Sequence, residues 1–454
     1  MTAPGPRQRA EILDLPYDFD PLALHRYAPA SYPYLLQSVA RHPAHGCHDI
    51  VFGFPEQTLT ARQPGDGFLT QLDAQWTHAA LASGTSPVPF GGGWFICLAY
   101  ELAQEIEPGL RLPAWEGGFT AFATRIPVAV IRDHAARRAW AVAEPGYSSR
   151  LSDLRRDFKN SLASAMAPAA GAAPQLGEPS DASYGGVVRA AQRYIRDGEI
   201  FQANLSREWR GPAGSMDLSR VYEALRMTNP APFAGLVKFD GGGLASSSPE
   251  RLIGIRNGRV FTRPIAGTRP RSQTSAQDSR LSRELFASSK ERAEHVMLID
   301  LERNDLGRIC TAGSVAVDEF MTRESYAHVH HIVSNVSGVL RGDVTPGEAI
   351  AAVFPGGTIT GVPKVRCMSI IGELEQGARG LYTGSVGYLN HDGSMDLNIL
   401  IRTLVQTGGT LSLRAGAGIV ADSVADRELA EIRAKAKGLL LAIAQLEAAH
   451  HVAG

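Results

Sequence analysis

The segment KERAEHVMLIDLERNDLGR at 290–308 carries the first group that could do chemistry. Read at 3.6 residues per turn, Glu294, Met297, Leu298 and Leu301 fall at i, i+3, i+4 and i+7 on one helical face. A carboxylate among side chains that leave water must be protonated, paired or bound to a cation. A core ion pair with a nearby arginine and a metal ligand both satisfy that pattern. Near the C-terminus Glu428, Glu431 and Lys435 lie at i, i+3 and i+7, each one position before a member of the apolar stripe Leu429, Ile432, Ala436, Leu439, Ile443 and Leu446. They read as a solvated face with a Glu431–Lys435 pair, or as a second carboxylate source for a cation at Glu294. A hard divalent ion such as Mg²⁺ takes one or two carboxylates and leaves its other positions to water and substrate oxygens.

His328, His330 and His331 cluster in an alternating apolar run, with His331 on the side of Val329 and Val333. No further ligands at zinc spacing stand out, so His331 reads as an acid, a base or a hydrogen-bonded core histidine. AGAGIVADS at 415–423 nominally fits a dinucleotide pattern, but only a short stretch follows it and no βαβ unit fits. A Gly-rich turn whose backbone N–H groups could meet an anion survives that test. FPGGTITGVPKVR at 354–366 shares only its glycines with a P-loop. Gly356, Gly357 and Thr358, a helix started by Pro363, and Lys364 and Arg366 suit a carboxylate or other anion, or a plain connection.

These groups need a scaffold, and the chain alternates clear signals for one. Residues 1–30 are rich in Pro, Asp and Ala and read as a loosely attached lead-in. From 34 to 143 short apolar runs between turn signals predict strands with few helices. The Ala/Pro/Gly-rich 163–183 is expected to be a linker or loop between a β-rich region at 1–162 and a catalytic region at 184–454. A helix is expected over 184–196, a strand at EIFQANLSREW, a hairpin at Asn257-Gly258, a helix over 284–303, a long strand at HVHHIVSNVSGVL and a final helix over 426–449. The fold class is therefore α+β, with large antiparallel sheets packed with helices.

The 454 residues carry 45 basic and 46 acidic side chains, which gives no reason to expect nucleic acid or an anionic membrane as partner. No apolar run approaches spanning length, and Cys47, Cys97, Cys310 and Cys367 are scattered, with Cys97 reading as core. A soluble cytoplasmic protein is the expectation.

The ordered set SPE at 248–250, PIAGTRPR at 264–271, ERAEHVMLIDLERNDLGR, HHIVS, FPGGTITGVPK, GSVGYL, IRT and GAGIVADS resembles the chorismate-utilising enzymes. These include anthranilate synthase component I, aminodeoxychorismate synthase component I, and the isochorismate and salicylate synthases. The similarity runs from about Tyr184 to Leu446, and YPYLLQS and FGGGWFICLAYEL extend it to the aminating members. The resemblance implies Mg²⁺ held by Glu294 and Glu431 with Glu428 nearby. It also implies chorismate contacts at Gly267, Thr268, Tyr382, Arg402, Gly416, Ala417, Gly418 and Lys435, with acid/base roles for Glu250 and His331 and a catalytic position at Thr268. Two substrate carboxylates call for a cation, Arg402, Lys435 and backbone donors. Loss of the C4 hydroxyl calls for an acid such as Glu250 or an imidazolium.

Water-adding members carry a lysine where this chain has Gln202, which points away from them. Ala266 in PIAGT is typical of anthranilate synthase, whereas many aminodeoxychorismate synthases have a nucleophilic lysine there. Asn204, Arg251, Gly357 in GGTITG and Asn398 in MDLN, placed in strands or loops expected to face the substrate, look like aminodeoxychorismate synthase. The balance implies amination of chorismate at C4 by direct attack of ammonia, with anthranilate formation as the alternative and a non-catalytic chorismate-binding protein as a remote one. No cysteine sits in a glutaminase elbow, so ammonia is expected from a glutamine amidotransferase subunit (component II) or from solution. Tryptophan bound in the N-terminal half, as regulator or structural ligand, is a further possibility the resemblance opens.

Overall fold

The computed structural model describes residues 10–40, 47–80, 88–163, 174–272, 274–325 and 329–453, without the side chains of Ala80, Thr268, Pro270, Lys290 and 447–453. Its frame is an eleven-stranded and a ten-stranded sheet, every pair antiparallel, with helices on their outer faces. Both sheets draw strands from either side of 163–183. In the larger one, Tyr34–Gln37 joins an N-terminal run of strands to Phe233–Phe239. In the smaller, Gly93–Leu98 joins one to Ser385–Asn390. Between the sheets lies an aromatic layer of Tyr34, Phe52, Phe90, Phe95, Phe122 and Tyr388, in which Tyr34 stacks on Phe95 with ring centres 4.1 Å apart. Cys97 is buried in this layer, as its apolar neighbours imply.

Residues 10–30 differ from the expected loose lead-in. Glu11–Leu15 pairs along its length with Arg138–Ala143, and the helix Pro21–Tyr27, capped by Asp20, buries Leu22 and Leu24. A Pro-rich composition hid a strand whose partner lies far down the chain. Residues 164–173 of the expected linker lie outside the described residues, while Gly177 bridges Arg210 at the sheet edge.

The second half follows its periodicities more closely. The helix Asp181–Arg196 starts at Ser180, whose hydroxyl accepts from Ser183 N, and stops at Gly198 with φ +78°. The Asn257-Gly258 turn has both residues at positive φ, as a two-residue hairpin requires. The helix expected at 284–303 is instead two, Ser275–Ala287 and Ser289–Gly307, because Ser288 turns extended and its hydroxyl caps Glu291 N. On the second helix the buried seam runs through His295, Leu298, Ile299, Glu302 and Leu306, so Glu294 sits at its edge and half-buried. The strand Ala316–Ser325, not foreseen, covers Val329–Val339, and His328 lies outside the described residues. Pro363 occupies the cap position before Lys364–Glu375 rather than its first turn. The final helix, Ala425–Ala453, buries Leu429, Ile432, Ala436, Leu439 and Ile443 as its stripe demands.

Candidate functional site

The site is built on a two-stranded ribbon, Gln202–Pro212 against Thr410–Ile419, in which Asn204 faces Gly418 and Ser206 faces Gly416. Residues 415–419 are thus a strand rather than the expected turn, paired with Gln202–Pro212 along one edge only, since pairing with Thr403–Thr407 ends at Leu413. The glycines serve by lacking a side chain. A Cβ on Gly418 would lie 2.3 Å from Gln202 Nε2 and 3.3 Å from Glu294 Oε1. One on Gly416 would lie 2.7 Å from Asn204 Oδ1 and 2.8 Å from the Tyr382 hydroxyl. Both contacts are too tight for a real Cβ, so the floor of the site belongs to polar groups from other elements. Ala417, between them, faces the opposite way into the helix-side core with Ala203 and Leu205 and can offer a ligand only its backbone.

Over this floor comes the helix Ser289–Gly307. Gln202 Nε2 donates to Glu294 Oε1 at 2.9 Å. Burial raises the pKa of Glu294, and the negative charges of Glu291 and Glu431 push it further; Gln202 and Lys435 oppose them. Lys435 on the final helix pairs with Glu431 at 2.7 Å and donates to Gly416 O at 2.9 Å. Glu428, one turn earlier, is buried, and its charge raises the pKa of Tyr184. Carboxylates from two helices therefore meet with one lysine between them. Among the described residues no three side chains form a ready-made cage for an ion. That donor set fits Mg²⁺ through Glu294 and Glu431, an ion that completes its shell with water and substrate oxygens.

Opposite the carboxylates stands Arg402. It is half-buried, and its guanidinium makes no hydrogen bond or ion pair with any described residue; burial lowers its pKa, and Tyr382 and Glu431 counter that. Its backbone is left-handed at φ +53°, costly by about 1–3 kcal/mol for a residue with a Cβ, and its carbonyl accepts from Ser247 N. A guanidinium so held has the fork geometry that suits a carboxylate.

Glu250 is 5 % exposed, and its Oε1 has no hydrogen-bond partner. Burial pushes its pKa up to about 7, against the opposing pulls of Thr358, Lys435 and the Ile265 backbone. The Thr358 contact falls short of a full hydrogen bond, since Thr358 Oγ1 also lacks a partner. Glu250 is therefore an acid that still carries its proton near neutrality. His331 is the reverse. Burial, with the Arg402 charge adding to it, lowers its pKa to about 4, and its Nδ1 lies 3.4 Å from Gly267 O. The imidazolium alternative for the acid is thereby removed: His331 is neutral and can hold a hydrogen bond or accept a proton. Gly267 sits in a bulge with φ +64°, where a Cβ would strike Glu291 Oε2 at 2.7 Å. Thr268 pairs with His331 through its backbone, and its side chain lies outside the described residues.

Several expected groups lie elsewhere. Lys364 pairs with Asp305 and Arg366 with Glu199, so neither is free for a ligand anion. His330 bridges Asp278 and Ser325 as a structural group. Arg251 pairs with Asp396 at 2.8 Å, stacks on Phe233 and Phe261, and lines a different cavity together with Asn398. Asn204 and Gly357 do meet at the site: Asn204 Nδ2 donates to Thr358 O at 3.4 Å, and its N–H to Thr360 O at 2.8 Å. Missed in the sequence were Glu291, which pairs with Arg269 at 3.1 Å beside Gly267, and the acid Glu302. The i, i+3 spacing of Glu291 to Glu294 was a signal for the first.

Residues 33–441 match the chorismate binding enzyme family. The chain is 40 % identical over 417 residues to an anthranilate synthase component I-like protein of Synechocystis, covering 88 % of this chain and 84 % of that one. It is also 40 % identical over 360 residues to the aminodeoxychorismate synthase component 1 of Bacillus subtilis, 76 % of each. The crystal structure of anthranilate synthase component I from Streptococcus pneumoniae superposes with a TM-score of 0.76 at 30 % identity, covering 88 % of this chain and 93 % of that one. Sheets, acid and carboxylate cluster thus define a chorismate-utilising enzyme of the component I type. The chain belongs to the chorismate binding enzyme family.

Proposed function

We propose that this chain is the component I of an aminodeoxychorismate synthase, aminating chorismate at C4 with ammonia in a Mg²⁺-dependent reaction. The observation that carries the reading is the unit formed by Asn204, the Thr358 turn and the buried acid Glu250, on which the Lys435 charge also acts. Arg402 and Lys435 supply cationic ends for two substrate carboxylates. Glu294 and Glu431 would hold Mg²⁺, which when bound would supply a Lewis acid to orient and neutralise a carboxylate. Glu250 gives its proton to the C4 hydroxyl oxygen, the C4–O bond breaks and water leaves. The nitrogen of ammonia bonds to C4 and gives one proton to solvent, leaving the neutral amine. Gln202 is a neutral amide held on Glu294, so no basic group stands there to activate water. Ala266, small and buried, leaves no covalent lysine route, and attack by ammonia is direct.

Ala266 also favours a second reading, attack at C2 with loss of pyruvate, and the relatives' names divide between the two. Chorismate, Mg²⁺ and ammonium should yield 4-amino-4-deoxychorismate, which a coupled lyase releases as 4-aminobenzoate. Stoichiometric anthranilate and pyruvate would overturn C4 attack in favour of C2. The single chain should use ammonium but not glutamine until an amidotransferase subunit is added, because Cys97, Cys310 and Cys367 are buried, and burial and the Asp133 charge raise the pKa of the Cys47 thiol, away from the reactive thiolate. Glutamine-dependent turnover by the chain alone would contradict this.

The cavity lined by Ser38, His48 and Ile50 from the N-terminal strands and by Phe233, Arg256 and Tyr388 supports the tryptophan reading. It offers aromatic walls and polar groups for a zwitterion. Tryptophan should raise the melting temperature of the chain; an unchanged Tm at saturating amino acid removes it as a ligand.

A further inference from the structure

Behind Glu250, away from the ribbon, lies a second buried acid that the chemistry above does not use. Glu302, 7 % exposed, points from its helix toward the Gly357–Ile359 turn, with Oε1 3.5 Å from where a Cβ on Gly357 would be. The next residue of that turn, Thr358, faces Glu250. Thr262 Oγ1, on the far side of Glu302, is buried without a partner, as are Thr358 Oγ1 and Glu250 Oε1. Two carboxyls and two hydroxyls are therefore packed in the core with too few hydrogen bonds among the described residues. Such groups are costly unless protons are shared.

Charge counting gives the same result. Facing Glu302 are Asp305 on its own helix, Lys364 at the start of Lys364–Glu375, Thr262 and Glu250. Lys364 is spent on Asp305 and the Val353 carbonyl, and Arg308 also leans on Asp305. On the neighbouring elements Arg263 is held by Glu319 and Glu324, His330 by Asp278 and His331 by Gly267, while Glu348 caps its own helix. Lys435, the cation that reaches Glu250, is already paired with Glu431. Among the described residues no unshared cation faces Glu302, and a charge on Glu250 disfavours one on Glu302.

We infer that Glu302 shares a proton with Glu250, so that the two carboxyls behave as one acid and Glu302 is a positioning residue that keeps Glu250 loaded. When Glu250 yields its proton to the leaving hydroxyl, the proton on Glu302 moves onto the Glu250 carboxylate by way of the Thr358 turn, and solvent reloads Glu302. The values of about 7 for Glu250 and about 8 for Glu302, the latter raised by burial and by Asp305 and Glu250, agree with a pair that gives up its protons in two steps. This rests on Glu250 acting as the acid in chorismate turnover.

In E302Q the pair can no longer hold a proton once Glu250 has ionised. The alkaline limb of the kcat–pH profile, measured with chorismate, Mg²⁺ and ammonium, should move to lower pH by roughly one unit. E302D should restore it, and the acid limb should stay in place. A lower kcat or Tm with an unmoved alkaline limb would mean a structural acid only and would overturn the inference. Should E302Q fail to fold, difference infrared spectroscopy of the wild type decides. Protonated carboxyl signal lost in two steps between about pH 6 and 9, reduced to one step in E250Q, supports the pair. Complete ionisation below that range overturns it. The infrared result stands whether or not chorismate is consumed, so failure of the aminating reading and failure of the shared proton are told apart.

Discussion

Replacing Glu250 with Gln is expected to lower kcat by about 10²–10⁴-fold, the usual contribution of a positioned acid, with KM for chorismate little changed. The amide keeps the shape of the carboxyl but cannot release a proton to the C4 hydroxyl. Stability should move the other way. Burial raises the pKa of Glu250 from its ordinary 4.5 to about 7, so the folded state favours the protonated form. Its ionisation in the folded state is then a cost, absent below about pH 4.5, growing as pH rises, and complete above about pH 7. E250Q carries no such cost. Its melting temperature should match the wild type in acid and exceed it above neutrality. A variant that keeps wild-type kcat would remove Glu250 as the acid, and one that loses activity only because it unfolds would show a lowered Tm at every pH.

Glu294→Gln is expected to abolish Mg²⁺-dependent turnover, with a loss of more than about 100-fold in apparent Mg²⁺ affinity, beyond what removing an outer-shell partner costs. Glu294 lies among the charges of Glu291 and Glu431, with burial raising its pKa further. A divalent cation held there would relieve that repulsion and favour the ionised carboxylate. With a neutral amide the repulsion falls, so the metal-free variant should be no less stable than the wild type. Mg²⁺ added to the wild type should raise Tm, and this rise should be lost in E294Q and in E431Q. That readout is independent of catalysis. Retained activity of either variant, or of the wild type in chelator, would rule out metal holding by these residues.

Much of this scaffold could be read from local pattern. A stripe at 3.6-residue spacing suffices for the final helix, because a long helix with one apolar face has a single way to bury it. The Asn257-Gly258 turn and the Gly198 stop are equally local, since left-handed backbone selects its residues. Glu294, Glu431 and Lys435 were legible as carboxylates and a cation on amphipathic helices, and the family motifs pointed to the acid at Glu250.

Partnership and environment were not legible. Tyr34–Gln37 lies against Phe233–Phe239, and Glu11–Leu15 against Arg138–Ala143, across separations that no window of sequence spans. In extended chain, consecutive residues face opposite ways. Only the packing decides that Glu250 faces Thr358 and Lys435 while Arg251 turns to Asp396 and another cavity. For the same reason Ala417 belongs to the core, although Gly416 and Gly418 on either side of it form the floor of the site. The acid strengths are wholly tertiary. A carboxyl and an imidazole titrate as ordinary side chains until burial and neighbouring charge act on them, and both terms depend on distance through space. The sequence by itself determined which residue types were available and the periods at which they recur. Only the folded sheets decided that Glu250 and Glu302 are buried, that burial makes His331 a weak base, and that the Arg402 guanidinium has no partner among the described residues.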